Sequence, residues 1–201
     1  VLGFGAGALM ASIAFELWEE GLDLAGPIPL IVGVVAGALA YFIADRILDA
    51  RAAKSKDSGA GVPLALGALL DGIPEQLVLG IGLASGEPVS IALVVAIVVS
   101  NLPESIGSAA DLLKGGMAKS RVLLLWAGIS VLCALATVAG FALASSTGDD
   151  FRAGASGFAA GALLVMLVDS MVPDAQQKAK QVTGLATVLG FALAAGLSLA
   201  S

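Results

Sequence analysis

The stretch "LLDGIPEQLVLG", residues 69–80, decides how this chain is read. Asp71 and Glu75 stand in a run that is otherwise almost wholly apolar, and Pro74 lies between them. Residues i and i+4 lie one above the other on a helix, so a helical reading points both carboxylates the same way. A proline inside a helix removes one backbone hydrogen bond and crowds the carbonyl four residues back. Pro74 therefore bares oxygen near Leu70 and Asp71, at the level of the two acids.

The surroundings say what kind of helix this is. The chain has 201 residues, 58% of them hydrophobic, with only 13% charged and a mean hydropathy of +0.99. A soluble domain carries about 25% charged residues. Seven apolar blocks, near 1–17, 27–44, 62–84, 88–112, 122–145, 155–173 and 182–200, approach the length of a bilayer crossing, roughly 20 residues. The expectation is an all-α membrane protein, a polytopic helical bundle, in which residues 1–201 form a single transmembrane domain. With one cysteine, Cys133, and no histidine, the chain has no internal disulfide and lacks the commonest transition-metal ligand.

Charge sets an orientation. Arg46, Arg51, Lys54 and Lys56 follow the second block, Lys114, Lys119 and Arg121 the fourth, and Lys178 and Lys180 the sixth. The other loops carry Glu19, Glu20, Asp23, Glu87, Asp149 and Asp150, with Arg152 the basic exception. The positive-inside rule places the basic loops in the cytoplasm. The C-terminus then lies outside, extracellular or periplasmic, in a multi-pass protein of the cell membrane. Residues 1–17 do not read as a signal peptide, having no basic front end and no small-residue cleavage site.

Two echoes give an internal architecture. "GFGAGALM" at 3–10 resembles "GFAAGALL" at 157–164, in spans of opposite direction, and "DGIPE" at 71–75 resembles "SNLPE" at 100–104 in the adjacent span. Together they suggest an inverted-topology repeat of the kind secondary transporters use. Pairing the first span with the sixth, the third with the fourth and the second with the seventh leaves the fifth without a partner. The expectation is seven visible spans of eight, arranged three, two, three, with one helix upstream of Val1.

In the second copy Ser100 and Glu104 share a face, Asn101 lies beside it, and Pro103 bares oxygen near Val99 and Ser100. A structural ion-pair network would need cations, and no Lys or Arg lies inside any span. Protonated acids serving as interhelical glue are the other structural reading. Ionisable residues at mid-membrane mark ion or proton pathways by default, and several carboxylates offering oxygen suit a divalent metal.

The two Pro-Glu helices, one behind the other, resemble the metal-binding helices of the ZIP family of divalent metal transporters. That family's first motif reads His-Asn-x-Pro-Glu, and its second a polar pair, x-Pro and an acid or histidine. "LGFGAGALMASIAFELWEE" is similar to the family's second helix and "FAAGALLVMLVDSMVPDA" to its seventh, so the chain matches spans two to eight of eight. Here Asp71 replaces the motif histidine and Gly72 the asparagine, and Ser100 and Asn101 form the second polar pair. The resemblance implies cation uptake into the cytoplasm down an electrochemical gradient. Asp71, Glu75 and Glu104 would hold the ion, assisted by Ser100 and Asn101. The ion is the transported substrate, and no cofactor is implied. Zinc is the family default, whereas the loss of histidine favours Mn²⁺ or Fe²⁺. The fifth block has Ser130 and Cys133 but no carboxylate, which argues against a second metal.

Several residues have two readings. Glu16, Glu19, Glu20 and Asp23 form either a solvated rim or a cation-concentrating vestibule. Asp169, with Ser170, is either an exit-side ligand or the polar end of a span. Met10 and Cys133 read as packing, and Trp18 and Trp126 as interfacial anchors. The partners expected are a divalent cation, the lipid bilayer and a second copy in a homodimer; nucleic acid is not among them. Against an intramembrane aspartyl protease, Asp71-Gly72 lacks that class's Gly-x-Gly-Asp pattern, and the chain is not read as an enzyme. The alternative is a ZIP-like membrane protein that has lost transport and acts as a scaffold or sensor.

Overall fold

A computed structural model describes residues 2–54, 61–84 and 91–199, with the side chains at 49, 51–54, 61–64, 92, 100, 103, 104, 178 and 179 excluded. The described residues are helical almost throughout: α1 (Leu2–Ser12), a π-helical segment (Ile13–Glu19), α2 (Glu20–Ala25), α3 (Pro27–Lys54), α4 (Gly61–Ala84) and α5 (Ile91–Lys114). They continue with α6 (Lys119–Ser146), α7 (Asp149–Met166), a second π-helical segment (Leu167–Met171), α8 (Val172–Ala179), a 3₁₀ turn (Lys180–Val182) and α9 (Thr183–Ser198).

The described residues of every apolar block fall on helix, but the count of spans differs. Among the described residues, five segments are long and apolar enough to cross a membrane: Pro27–Leu48, Ala65–Ala84, Lys119–Ser146, Asp149–Gln177 and Lys180–Ser198. In the first block α1 gives way at Ile13 to the π-helical segment, and α1 alone, like the short α2 that follows, lacks the length of a crossing. The fourth block is the continuous helix α5, which carries the polar run from Asn101 to Asp111.

Helix boundaries follow local chemistry. Gly26, at φ +77°, ends α2 in a conformation that costs glycine little, and its N–H donates to the carbonyl of Leu22. Pro27 then opens α3, where the N–H it lacks would have had no helical acceptor. Between α5 and α6, Gly116 at φ +87° lets the chain reverse. Pro74 sits inside α4, which stays helical on both sides of it.

Packing rests on backbone contact. A Cβ added at Gly37 of α3 would lie 1.8 Å from the carbonyl oxygen of Phe158 on α7, and one at Gly161 would lie 2.0 Å from that of Val34. The pair α1 and α9 repeats the arrangement: a Cβ at Gly190 would meet the carbonyl oxygen of Phe4 at 2.0 Å, and one at Gly7 that of Thr187 at 1.8 Å. Small residues at helix seams are what bilayer packing uses, since lipid offers no hydrophobic drive to bring helices together.

The interior is built on α1, α7 and the π-helical segments, where Leu9, Leu163, Met166, Leu167 and Met171 are fully buried. The outside is aliphatic. On α6, Leu123 and Leu124 are 71% and 74% exposed, and Val32 of α3 and Leu185 of α9 are similarly bare. Meanwhile Glu75 is 1% exposed. Exposed leucine around buried glutamate inverts the order of a water-soluble protein and suits hydrocarbon solvent.

A buried pair of carboxylates

Asp71 and Glu75 both lie inside the bundle, 7% and 1% exposed, one helical turn apart on α4. Each receives a hydrogen bond from a neutral side chain of another helix. The Tyr41 hydroxyl of α3 donates to Oδ1 of Asp71. The amide Nδ2 of Asn101 on α5 donates to Oε2 of Glu75, and also to the carbonyl of Ile97 at 3.0 Å. Burying a charge is costly unless it is paired or hydrogen-bonded, and charge-assisted hydrogen bonds are stronger than neutral ones. The acids of one helix thus bind α3 on one side and α5 on the other.

The neighbouring contacts finish the wall. Gly72 leaves room for the thiol of Cys133 on α6, since a Cβ there would lie 2.9 Å from its Sγ. Below it, Thr137 of α6 donates to Oε1 of Gln76 at 2.9 Å. Cys133 is half-buried against α4, as a packing residue would be. Ser130 is exposed and spends its hydroxyl on the carbonyl of Trp126 in its own helix, 2.9 Å away.

The other sequence-derived candidates fall in different places. Ser100 and Glu104 belong to α5, but their side chains lie outside the described residues. Among the described residues, no three His, Cys, Asp or Glu side chains converge as a metal-binding group. Glu16 and Asp169 each sit in a π-helical segment, Glu16 partly buried and Asp169 exposed. π-Bulges inside α-helices are frequent at functional sites. An apolar cavity of about 530 Å³, lined by Val32, Gly33, Leu77, Leu143 and Phe158 among others, does not include Asp71 or Glu75 in its wall.

Sequence reasoning missed Tyr41. It is 4% exposed and part of the interior cluster. One signal was available: the chain has seven phenylalanines but a single tyrosine, and that tyrosine stands within an apolar span. A buried phenol needs a polar partner.

Helical throughout its described elements, aliphatic outside and with carboxylates within, the chain is a multi-pass helical membrane protein. No family model matches it. Over 197 residues, 92% of this chain, it is 29% identical to a protein of Arabidopsis thaliana named "Putative zinc transporter". The chain spans 31% of that protein's length.

Proposed function

We propose that the chain carries divalent metal cations across the membrane into the cytoplasm, as a divergent, histidine-free transporter of the ZIP type. The observation that carries this reading is Glu75, buried to 1% exposure within an apolar span and one turn from a second buried acid. Acids at that depth cost several kcal/mol to hold in place without a role. Similarity to a protein named "Putative zinc transporter" supports a metal ion as the cargo.

In this reading Asp71, Glu75 and Glu104 ligate the ion, and Ser100 and Asn101 complete the oxygen set. Glu16 and Asp169 line the ways in and out. The site takes zinc or a harder ion such as Mn²⁺ or Fe²⁺, because oxygen ligands without imidazole suit the harder ions. The protein sits in the cell membrane with its C-terminus outside. Its helices follow a three, two, three inverted repeat, supported by the matched glycine seams: Gly37 with Phe158 answers Gly190 with Phe4, and Gly161 with Val34 answers Gly7 with Thr187.

The test is cation uptake into proteoliposomes. Glu75→Ala and Glu104→Ala are each expected to reduce uptake to the background of empty vesicles while inserting normally. Uptake at the wild-type rate by both variants overturns the assignment. A purified wild-type protein that retains no divalent metal would favour the scaffold or sensor alternative.

A further inference from the structure

We propose that Tyr41 sets ion specificity by positioning Asp71, holding that carboxylate to ligation through a single oxygen. The inference rests on the reading of α4 as the ion-binding helix.

The hydroxyl of Tyr41 donates to Oδ1 of Asp71 from a separate helix, α3. While that bond stands, one lone pair of Oδ1 is taken, which favours ligation of a cation through the other oxygen over bidentate ligation. The phenol is held in place from behind. It is 4% exposed and its ring belongs to the interior cluster. Asp45 lies one turn further along α3. The same device appears at the second acid, where Asn101 takes Oε2 of Glu75. Two carboxylates would supply four oxygens if both were bidentate, and the two donors cap one oxygen of each.

Coordination number separates the ions such a site could take. Ca²⁺ gathers six to eight oxygens and accepts bidentate carboxylates, whereas Zn²⁺ is satisfied by four ligands. Occupying a lone pair on one oxygen of each acid disfavours bidentate ligation, and with it the ion that needs most ligands. Selection by capping requires neutral donors, since a lysine or arginine at the same place would cancel the charge that draws the cation. Tyr41 is neutral, rigid and buried, and a phenylalanine there would fill nearly the same volume without the donor.

A purely structural role, in which the Tyr41–Asp71 bond ties α3 to α4, predicts a loss of stability with no change in selectivity. The experiment therefore reads selectivity. Full-length wild-type protein and Tyr41→Phe are titrated in detergent with Zn²⁺ alone, with Ca²⁺ alone, and with Zn²⁺ against rising Ca²⁺. The variant is expected to raise Ca²⁺ affinity relative to Zn²⁺ on the order of tenfold, as one charge-assisted hydrogen bond to the carboxylate is removed. An unchanged ratio in a monodisperse variant overturns the proposal and leaves the bond as a helix tie. If wild-type protein binds neither ion, the reading of α4 fails and this inference falls with it. Should Tyr41→Phe fail to fold, wild-type protein alone decides. Its infrared carboxylate stretches with Zn²⁺ bound, assigned by comparison with Asp71→Asn, should show the wide splitting of one-oxygen ligation. The narrow splitting of a bidentate carboxylate at Asp71 overturns the proposal.

Discussion

Two glycines near the end of α4 should respond oppositely to the same substitution. A Cβ at Gly80 would lie 2.1 Å from the carbonyl oxygen of Thr137 on α6, whereas at Gly82 nothing stands within 4 Å. Real Cβ atoms are essentially never closer than 3.0 Å to such an atom, so Gly80→Ala must part α4 from α6 locally by about 0.9 Å. Overpacking of that kind costs roughly 1–3 kcal/mol. Gly82→Ala meets no obstacle and gains helix propensity of up to about 1 kcal/mol. The two variants should therefore differ by about 2–4 kcal/mol. For a chain of this size one kcal/mol moves Tm by roughly 2–4 °C. A gap of about 5–15 °C is expected, with wild type between the two. The assay is thermal denaturation of detergent-purified protein, followed by the loss of monodisperse material on size exclusion. Because Gly80 lies little more than one turn beyond Glu75, the Gly80 variant should also lose metal binding before it loses its fold. Equal Tm values for the two variants would refute the claim that α4 and α6 meet backbone to backbone.

Two further outcomes concern the cargo and the orientation. Asp71→His should shift competition uptake toward Zn²⁺ and away from Mn²⁺, imidazole being the softer ligand, and an unchanged ratio would remove Asp71 from contact with the ion. In a Cys133→Ala background, a cysteine at Gly148 should react with an impermeant thiol reagent on intact cells, while one at Ala118 should react only after the membrane is opened; the reverse pattern would invert the topology.

Much of the fold was legible because hydrocarbon solvent writes its demands on the chain at length. Blocks near the length of a crossing can hardly be anything but helix in a bilayer, where every backbone group must find its partner within the segment. The π-helical segments were not legible. An extra residue in one turn leaves hydropathy unchanged, and "IAFELWE" reads as apolar helix with an acid in it whether or not it bulges. The count of spans suffered from this, since the first block is broken by such a segment. At the candidate site, the burial of Asp71 and Glu75 on one helix could be anticipated from their spacing. Asn101 could be placed beside the face of Ser100 and Glu104, but not bonded to Glu75. Tyr41 could not be placed at all, because its bond to Asp71 joins two helices whose relative rotation no local pattern encodes. The aliphatic exterior of α6 carried even less, since a helix exposed to lipid on most sides has no preferred face to mark.

The glycine seam between α3 and α7 has a consequence for how this protein can change over generations. What a side chain at Gly37 or Gly161 would strike is a carbonyl oxygen of the facing backbone, at Phe158 or Val34. Clashes between side chains can be relieved by a second mutation that trims the neighbour. A clash with backbone has no such remedy, because every amino acid carries the same carbonyl. Reversion, or a shift of the whole helix, is the only suppressor left. A screen for intragenic suppressors of Gly37→Ala should therefore return revertants and distant rearrangements, and almost no substitutions at Phe158. The seam is a part of the sequence in which drift is blocked one letter at a time.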